Sequence, residues 1–226
     1  MRMRKKKNLI PRMERCLIRE PYSMPGKWRE LMPQARELRL ELGCGKGRFT
    51  AGTAAAEPDV LFIAVERVPD AMVMAMERCA AQGLTNVFFI DANADQLPLF
   101  FAPGEADRIY INFCDPWPSN RHAKRRLTHG NFLRLYRQVL KMGGQIHFKT
   151  DNAPLFEWSL GEFEACGLEI RNLTRNLHEN GPVGIMTGYE EKFYALGTPI
   201  NRCELINHGV LPDPEPAEKD EQTGIL

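Results

Sequence analysis

Short β-forming runs alternate with segments of helical period from Leu38 onward, and this alternation restricts the fold more than any other feature of the chain. The runs that predict strands are 38–42, 60–65, 87–90, 108–113 and 145–148. The segments that predict helices are 48–56, 70–82, 131–141 and 155–166. Strands and helices in series indicate an α/β fold, with a mostly parallel sheet covered by helices on both faces. Two later runs, at 168–173 and 192–196, are expected to pair as antiparallel strands.

Charge divides the chain into three parts. Residues 1–29 contain ten Lys or Arg and two acids, although the whole chain has a net charge of only +1. The residues after Leu211 are rich in Asp, Glu and Pro, which predicts a disordered segment. We therefore expect a basic N-terminal extension at 1–37, one folded domain at 38–205 and an acidic, disordered tail at 206–226. A basic end on an otherwise acidic chain indicates a polyanionic partner, and the alternative for the first seven residues is a solvated, frayed terminus.

Cysteine usage and hydropathy predict the compartment. The six cysteines include no Cys-x-x-Cys pair and no His at metal-ligand spacing, so no metal is expected. The basic start is not followed by the apolar stretch of a signal peptide. No apolar run approaches the roughly 18 residues that a transmembrane helix needs. These features predict a cytoplasmic protein without a membrane partner, and they leave open whether it is a monomer or a homodimer.

The sequence E-L-G-C-G-K-G at 41–47 lies between the first predicted strand and the first predicted helix. Gly43 and Gly45 permit positive φ angles and let the backbone approach a ligand closely. Their spacing differs from the G-x-G-x-x-G pattern that holds a dinucleotide pyrophosphate at a helix N-terminus. The carboxylate of Glu41, just before the loop, favours a cationic or amino-bearing ligand over a phosphate. The loop therefore predicts a site for an adenosine cofactor that carries such a group.

Polar residues also follow the next two predicted strands. Glu66 ends the second strand, where a carboxylate can accept hydrogen bonds from both hydroxyls of a ribose. Asn93 follows the third strand, where the edge of an adenine would lie. Ligands bind beyond the carboxyl ends of parallel strands, so both residues are expected to share one cofactor site with Glu41. The alternative for Glu66 is a surface ion pair with Arg67 or Arg78.

The stretch N-F-C-D-P-W-P-S-N-R-H-A-K-R-R at 112–126 combines a rigid turn with a cationic run. Its two prolines fix the backbone around Asp115 and Trp117, which places a carboxylate and an indole at the mouth of the expected pocket. The indole either stacks on a base or fills the apolar underside of the loop. The cationic run suits phosphate contacts, with a solvated surface as the alternative. Its members are Arg121, His122, Lys124, Arg125 and Arg126.

Later strands are also accompanied by carboxylates. H-F-K-T-D-N at 147–152 places Asp151 on a loop, and T-G-Y-E at 187–190 comes before the last predicted strand. A carboxylate can accept hydrogen bonds from both N1–H and N2–H₂ of guanine, a pair of donors that no other standard base presents. Asp115, Asp151 and Glu190 are the three candidates for that contact.

Taken together, these motifs resemble those of bacterial tRNA (guanine-N7)-methyltransferases, from about residue 41 to residue 203. The resemblance implies the class I methyltransferase fold, a Rossmann-like sheet of seven strands, with S-adenosylmethionine as cofactor. It implies 7-methylguanosine in the variable loop of tRNA as the product, and Asp115 as the catalytic residue. The residues implied to bind the cofactor are Glu41, Gly43, Gly45, Glu66, Asn93 and Asp115. The residues implied to contact the substrate are Ser119, Asp151, Thr187, Gly188, Tyr189 and Glu190.

One departure from the family pattern and three alternative functions bear on this interpretation. The family commonly has Lys where this chain has Ser119, and Lys124 or Arg121 are candidates to supply that charge. A nicotinamide dehydrogenase would need a different glycine spacing. A non-enzymatic RNA-binding protein would not explain the series of polar residues at successive strand ends. A methyltransferase that acts on another RNA or on a small molecule would share the whole cofactor site and differ only in its acceptor.

Overall fold

The computed structural model describes residues 5–16 and 21–209, and within them seven strands form one sheet in the order β3-β2-β1-β4-β5-β7-β6. The strands are β1 (Glu37–Leu42), β2 (Val60–Glu66), β3 (Val87–Asp91), β4 (Ala106–Asn112), β5 (Leu140–Thr150), β6 (Leu168–Thr174) and β7 (Asn201–Asn207). The α-helices are α1 (Leu9–Met13), α2 (Arg48–Ala56), α3 (Pro69–Ala81), α4 (Leu97–Phe100), α5 (Gly130–Val139), α6 (Ala153–Ala165) and α7 (Gly188–Ala195).

The first five strands run parallel, with β1 between β2 and β4, whereas β7 is inserted antiparallel between β5 and β6. This arrangement is the seven-stranded, mostly parallel α/β sheet that we expected. The carboxyl ends of β1 to β5 therefore lie along one edge of the sheet. In sheets of this type ligands bind at that edge, near the point where the strand order reverses.

Both faces of the sheet are covered by helices, as strand β2 illustrates. All seven of its residues are buried. Leu61, Ile63 and Val65 belong to the core that includes α5 and α6, whereas Phe62 and Ala64 belong to the core beneath α2 and α3. Successive side chains of a strand point to opposite faces, so a continuously apolar strand must be buried on both sides.

The prediction of a strand at 192–196 is wrong, because these residues lie mainly within helix α7. Thr187 Oγ accepts a hydrogen bond from the Glu190 N–H, and the Glu190 side chain accepts one from the Thr187 N–H. This reciprocal pair is a capping box, which satisfies amide groups that a helix start leaves unpaired. The antiparallel partner of β6 is β7 instead. The expected helix at 131–141 also ends earlier, because β5 already begins at Leu140.

The predicted N-terminal extension is packed into the domain from residue 21. Trp28 is fully buried in the core; its indole donates a hydrogen bond to the Phe100 carbonyl at 2.7 Å and stacks on Phe101. Further towards the N-terminus, Arg12 forms a two-pronged ion pair with Glu77 on α3 at 2.6 and 2.7 Å. Residues 1–4 and 17–20, and the part of the predicted tail at 210–226, lie outside the described residues.

Among the described residues, no helix has the length and apolar character to cross a membrane. The same residues contain no group of three or more His, Cys, Asp or Glu arranged to hold a metal ion.

Candidate active site

A cavity of about 780 Å³ lies at the carboxyl edge of the sheet, a volume typical of small-molecule sites. Its walls come from the segments that follow β1, β2, β3 and β4, and from the start of α7. The residues predicted to line a cofactor site are all there: Glu41, Gly43, Gly45, Glu66, Asn93 and Asp115. The structure therefore brings together side chains that are up to 74 positions apart in the sequence.

The glycine-rich loop lines this cavity, and its glycines have different roles. Gly43, Gly45 and Gly47 have φ angles of 78°, 56° and 70°, which disfavour any other residue. The space beside Gly43 and Gly45 is open, so their backbone is free to approach a ligand. A Cβ added to Gly47 would instead lie 2.4 Å from the Ala75 Cβ on α3. Gly47 is thus needed for packing between the loop and α3, a requirement that the sequence motif alone does not reveal.

Replacing Gly47 with alanine is expected to destabilise the protein more than the same change at Gly45. Both alanines would have left-handed backbone angles, at a cost of about 1–2 kcal/mol. Only the Gly47 variant would also push α3 away, which typically adds about 1–3 kcal/mol. Denaturant unfolding of both variants measures the difference. Equal losses of stability would show that α3 tolerates the added methyl group.

Glu66 is 8% exposed and is held by the backbone around it. One carboxylate oxygen accepts a hydrogen bond from the Gly45 N–H and the other accepts one from the Val68 N–H, both at 2.9 Å. Each oxygen keeps a lone pair free, because a carboxylate oxygen can accept two hydrogen bonds. Among the described residues, Glu66 forms no ion pair with Arg67 or Arg78, which was the alternative role predicted for it. Its fixed carboxylate suits a pair of ligand hydroxyls.

Glu41 lies at the inner end of the cavity and is 2% exposed. Its carboxylate accepts hydrogen bonds from the Thr50 hydroxyl and from the Asn112 amide. Burial raises the pKa of Glu41 to about 7, although these hydrogen bonds and the charge of Lys149 oppose the shift. The side-chain carbonyl oxygen of Asn112, Oδ1, is also buried and has no hydrogen-bond partner among the described residues. This end of the cavity therefore offers acceptors to a cationic or hydrogen-bond-donating ligand.

Asp115 lies on the loop after β4 and lines the same cavity, where its side chain is 69% exposed. The loop has positive φ angles at Phe113 (54°) and Trp117 (41°), a strained conformation for residues other than glycine. Arg67 approaches the Asp115 carboxylate at 3.4 Å and also lines the cavity. Strain on both sides of an exposed carboxylate is typical of a functional loop.

Arg126 is 5% exposed, so the prediction that it contacts RNA does not fit its position. Its guanidinium donates hydrogen bonds to the carbonyls of Pro116 and Trp117, the shortest at 2.9 Å. The same group lies 4.2 Å from the ring centre of Trp158. Arg126 therefore anchors the backbone of the loop that carries Asp115. The sequence offered little indication of this role, because Arg126 is the last residue of a cationic run whose other members are exposed.

The other members of the cationic run are exposed on a 3₁₀ helix at Asn120–Arg125: Arg121, His122, Lys124 and Arg125. The Arg125 guanidinium lies 4.9 Å from the ring centre of Trp117, and both residues line the cavity. Ser119 comes just before this helix and is exposed, but it is not part of the cavity wall. This surface of positive charge therefore adjoins the mouth of the cavity.

The predicted substrate residues separate into two groups. Thr187, Gly188 and Tyr189 line the cavity at the start of α7. Asp151 follows β5 directly but is not part of the wall. Glu190 is completely buried and accepts hydrogen bonds from Lys149 and His178, so it is not the rim carboxylate that we expected.

Five basic residues of the cavity wall were not predicted as site residues from the sequence: Lys46, Arg48, Arg67, Arg78 and Lys192. Lys46 and Arg48 flank the last glycine of the loop, so their place in the chain was a usable signal. Arg78 donates a hydrogen bond to the Lys46 carbonyl at 3.2 Å. Lys192 was overlooked because the segment around it was predicted to be a strand.

Known proteins are similar to this chain over most of its length. A family described as "Putative methyltransferase" matches residues 35–203. The tRNA (guanine-N(7)-)-methyltransferase of Geobacillus kaustophilus is 44% identical over 210 residues, which are 91% of this chain and 97% of the relative. The enzyme of the same name from Bacillus subtilis is 43% identical over 189 residues, 83% of this chain and 89% of the relative.

Solved structures resemble the chain in fold alone. The 16S rRNA methyltransferase KamB has a TM-score of 0.61 at 16% identity, over 83% of this chain and 94% of KamB. A 16S rRNA (adenine(1408)-N(1))-methyltransferase variant from Catenulisporales acidiphilia, solved with the cosubstrate SAM, also has a TM-score of 0.61 at 16% identity, over 84% of this chain and 93% of that protein. Given the similarity over nearly the whole sequence, the chain belongs to the methyltransferase family that includes the tRNA (guanine-N(7)-)-methyltransferases.

Proposed function

We propose that this protein transfers a methyl group from S-adenosylmethionine to N7 of a guanine in the variable loop of tRNA. The observation that carries the proposal is one cavity with acidic acceptors inside, Glu41 and Glu66, and an exposed carboxylate, Asp115, at its mouth. An exposed cationic helix adjoins that mouth. We place the activity in the cytoplasm.

The cavity fits S-adenosylmethionine on chemical grounds. Glu41 and the unpartnered carbonyl oxygen of Asn112 are acceptors for the ammonium group of the methionine part. Glu66 keeps a free lone pair on each oxygen for the two ribose hydroxyls. Asn93, after β3, is the candidate for the adenine edge. When bound, this cofactor supplies an electrophilic methyl group on a sulfonium sulfur.

Asp115 is assigned to the guanine. Neutral guanine has a free lone pair on N7, so no proton must leave N7 before it attacks the methyl carbon. The main requirement is that N7 and the methyl group are held in line. Methylation makes the purine cationic, and the Asp115 carboxylate would accept from N1–H and N2–H₂ and stabilise that charge. Thr187 and Tyr189, which line the cavity at the start of α7, are candidates to hold the base in place.

The exposed cations are assigned to the tRNA backbone. Arg121, His122, Lys124 and Arg125 share one short helix beside the cavity, so they can contact phosphates while the guanine enters. Phosphate contacts position a nucleic acid but carry little sequence information. The residues inside the cavity would then select guanine. The shape of the tRNA, which lets its variable loop reach the cavity, would select the tRNA.

Methyl transfer to unmodified tRNA tests the proposal. The protein is incubated with labelled S-adenosylmethionine and a tRNA transcript, and nuclease mapping then locates the modified nucleotide. We expect 7-methylguanosine in the variable loop. The matched control is the same transcript with that guanine replaced by adenine, which should accept no methyl group. Equal labelling of both transcripts, or transfer to small molecules without tRNA, would contradict the proposal.

Cofactor binding is expected to weaken as the pH falls below 7. Burial raises the pKa of Glu41 to about 7, and only the ionised carboxylate attracts the ammonium group. Affinity should therefore rise with pH up to that pKa and then level off, with about a tenfold loss one pH unit below it. Titration calorimetry across the range measures this. Glu41→Gln should bind weakly at every pH, and a pH dependence that persists in this variant would contradict the assignment.

A further inference from the structure

Four residues form a hydrogen-bonded group at the start of α7, which we call the Glu190 cluster: Lys149, His178, Thr187 and Glu190. The Lys149 ammonium donates to both oxygens of Glu190, at 2.9 and 2.7 Å. His178 Nε2 lies 3.1 Å from Oε1, and the Thr187 N–H donates to Oε2 at 3.1 Å. Each oxygen of Glu190 therefore takes part in two hydrogen bonds.

This cluster leaves Glu190 no capacity to bind a guanine. A carboxylate has about four acceptor sites, two on each oxygen, and here all of them are used. Glu190 also has no exposed surface. A guanine edge would have to displace at least one of these donors from Glu190, and the loss of Lys149 would leave a buried charge without its partner, which is strongly unfavourable.

His178 extends the cluster into the loop before α7. The Val183 N–H donates a hydrogen bond to His178 Nδ1 at 3.1 Å, so Nδ1 is an acceptor and Nε2 carries the hydrogen that points to Glu190. His178 is 6% exposed. One imidazole thereby ties the backbone at residue 183 to the carboxylate at residue 190.

The elements that this cluster joins also support two parts of the cavity wall, the start of α7 and the loop that carries Asp115. Lys149 is near the end of β5, and its carbonyl accepts a hydrogen bond from the Phe113 N–H at 2.8 Å, two residues before Asp115. Phe113 in turn stacks on Phe193 of α7, with ring centres 6.1 Å apart. Thr187 starts α7 and lines the cavity. Lys149 itself is not part of the cavity wall.

We propose that Lys149 and Glu190 are positioning residues for methyl transfer, which set the distance between the start of α7 and the Asp115 loop without touching the guanine. This inference rests on the proposed function. It differs from the expectation that Glu190 reads the guanine edge. It predicts that loss of Lys149, a residue behind the wall, impairs the reaction as much as loss of Glu190.

Two readouts test this inference on the full chain. Hydrogen exchange of the free protein should become faster across residues 183–193 in Lys149→Met and in Glu190→Gln, and stay unchanged in β1 to β4. In single-turnover assays with saturating tRNA, both variants should methylate about 10- to 100-fold more slowly, because a misplacement of about 1 Å costs about 100-fold. Lys149→Arg, which keeps a cation for Glu190, should restore most of the rate.

The control is Arg137→Met, which removes a buried cation that bonds to Asn207 and the Cys166 carbonyl, away from the cavity. It should lower the melting temperature but not change exchange at 183–193. If Lys149→Met does not fold, His178→Leu keeps the central ion pair and should show the same effects more mildly. Unchanged exchange in Glu190→Gln, with slow methylation, would overturn the inference in favour of a guanine contact. Exchange does not depend on tRNA, so it remains decisive even if the parent protein fails to methylate tRNA.

Discussion

Asp115→Asn is expected to slow methyl transfer by about 10²–10³-fold, equivalent to about 2.7–4 kcal/mol of transition-state stabilisation. The amide keeps the shape of the side chain and one acceptor oxygen, but it removes the negative charge that opposes the cationic purine. Asp115 is exposed and its one ion-pair partner, among the described residues, is Arg67 at 3.4 Å. Folding should therefore be unaffected. Single-turnover methylation with saturating tRNA and cofactor isolates this step from binding.

The matched control for that experiment is Asp151→Asn. Asp151 also follows a strand at the carboxyl edge of the sheet, but it is not part of the cavity wall. We expect this variant to keep most of the activity. If Asp151→Asn lost most of its methylation rate while Asp115→Asn kept a normal rate, the guanine contact would be assigned to Asp151 instead.

Arg126→Met is expected to slow methyl transfer by about 100-fold, because it releases the loop that carries Asp115. Two carbonyls of that loop, at Pro116 and Trp117, would lose their donor, and the cation would leave Trp158. The loss of hydrogen bonds to a charged group costs about 1.5–3 kcal/mol each. Thermal unfolding and single-turnover methylation should therefore both report the change.

Arg125→Met is the control, since it removes a neighbouring charge of the same run that is exposed beside Trp117. This variant should raise the KM for tRNA and flatten the salt dependence of tRNA binding, while its melting temperature and its rate at saturating tRNA stay near those of the parent. If Arg125→Met and Arg126→Met raised the KM equally and both left stability unchanged, the two arginines would not have separate roles. Arg126→Lys should not rescue the loop, because an ammonium cannot reproduce the planar fork of the guanidinium.

The order of strands β1 to β6 and of the longer helices between them could be predicted from the sequence, because it depends on local periodicity. Apolar β-forming runs such as 60–65 must be buried on both faces, so they indicate a parallel sheet wherever they occur. The positions of Glu41, Glu66 and Asn93 followed from the same pattern, since parallel strands end at a common edge. The helical start at Thr187 was also encoded locally, in the capping-box spacing T-x-x-E, although the segment was predicted to be a strand.

What the individual polar side chains do depended on partners far away in the sequence. Arg125 and Arg126 are neighbours in one cationic run, yet Arg125 is exposed, whereas Arg126 is buried between the Asp115 loop and the ring of Trp158. Gly47 is needed because Ala75 of α3 packs against it. The local sequence around Arg126 or Gly47 does not show that either residue makes its distant contact.

The three carboxylates that the sequence offered for the guanine show the same division. The sequence determined which residue types reach the carboxyl edge of the sheet: Asp115, Asp151 and Glu190. The tertiary structure decided which of them has free lone pairs. Lys149, 41 positions away, and His178 occupy the oxygens of Glu190, whereas the oxygens of Asp115 are exposed at the mouth of the cavity. Local periodicity places a side chain at an edge, but only long-range packing determines whether its hydrogen-bonding capacity is already used.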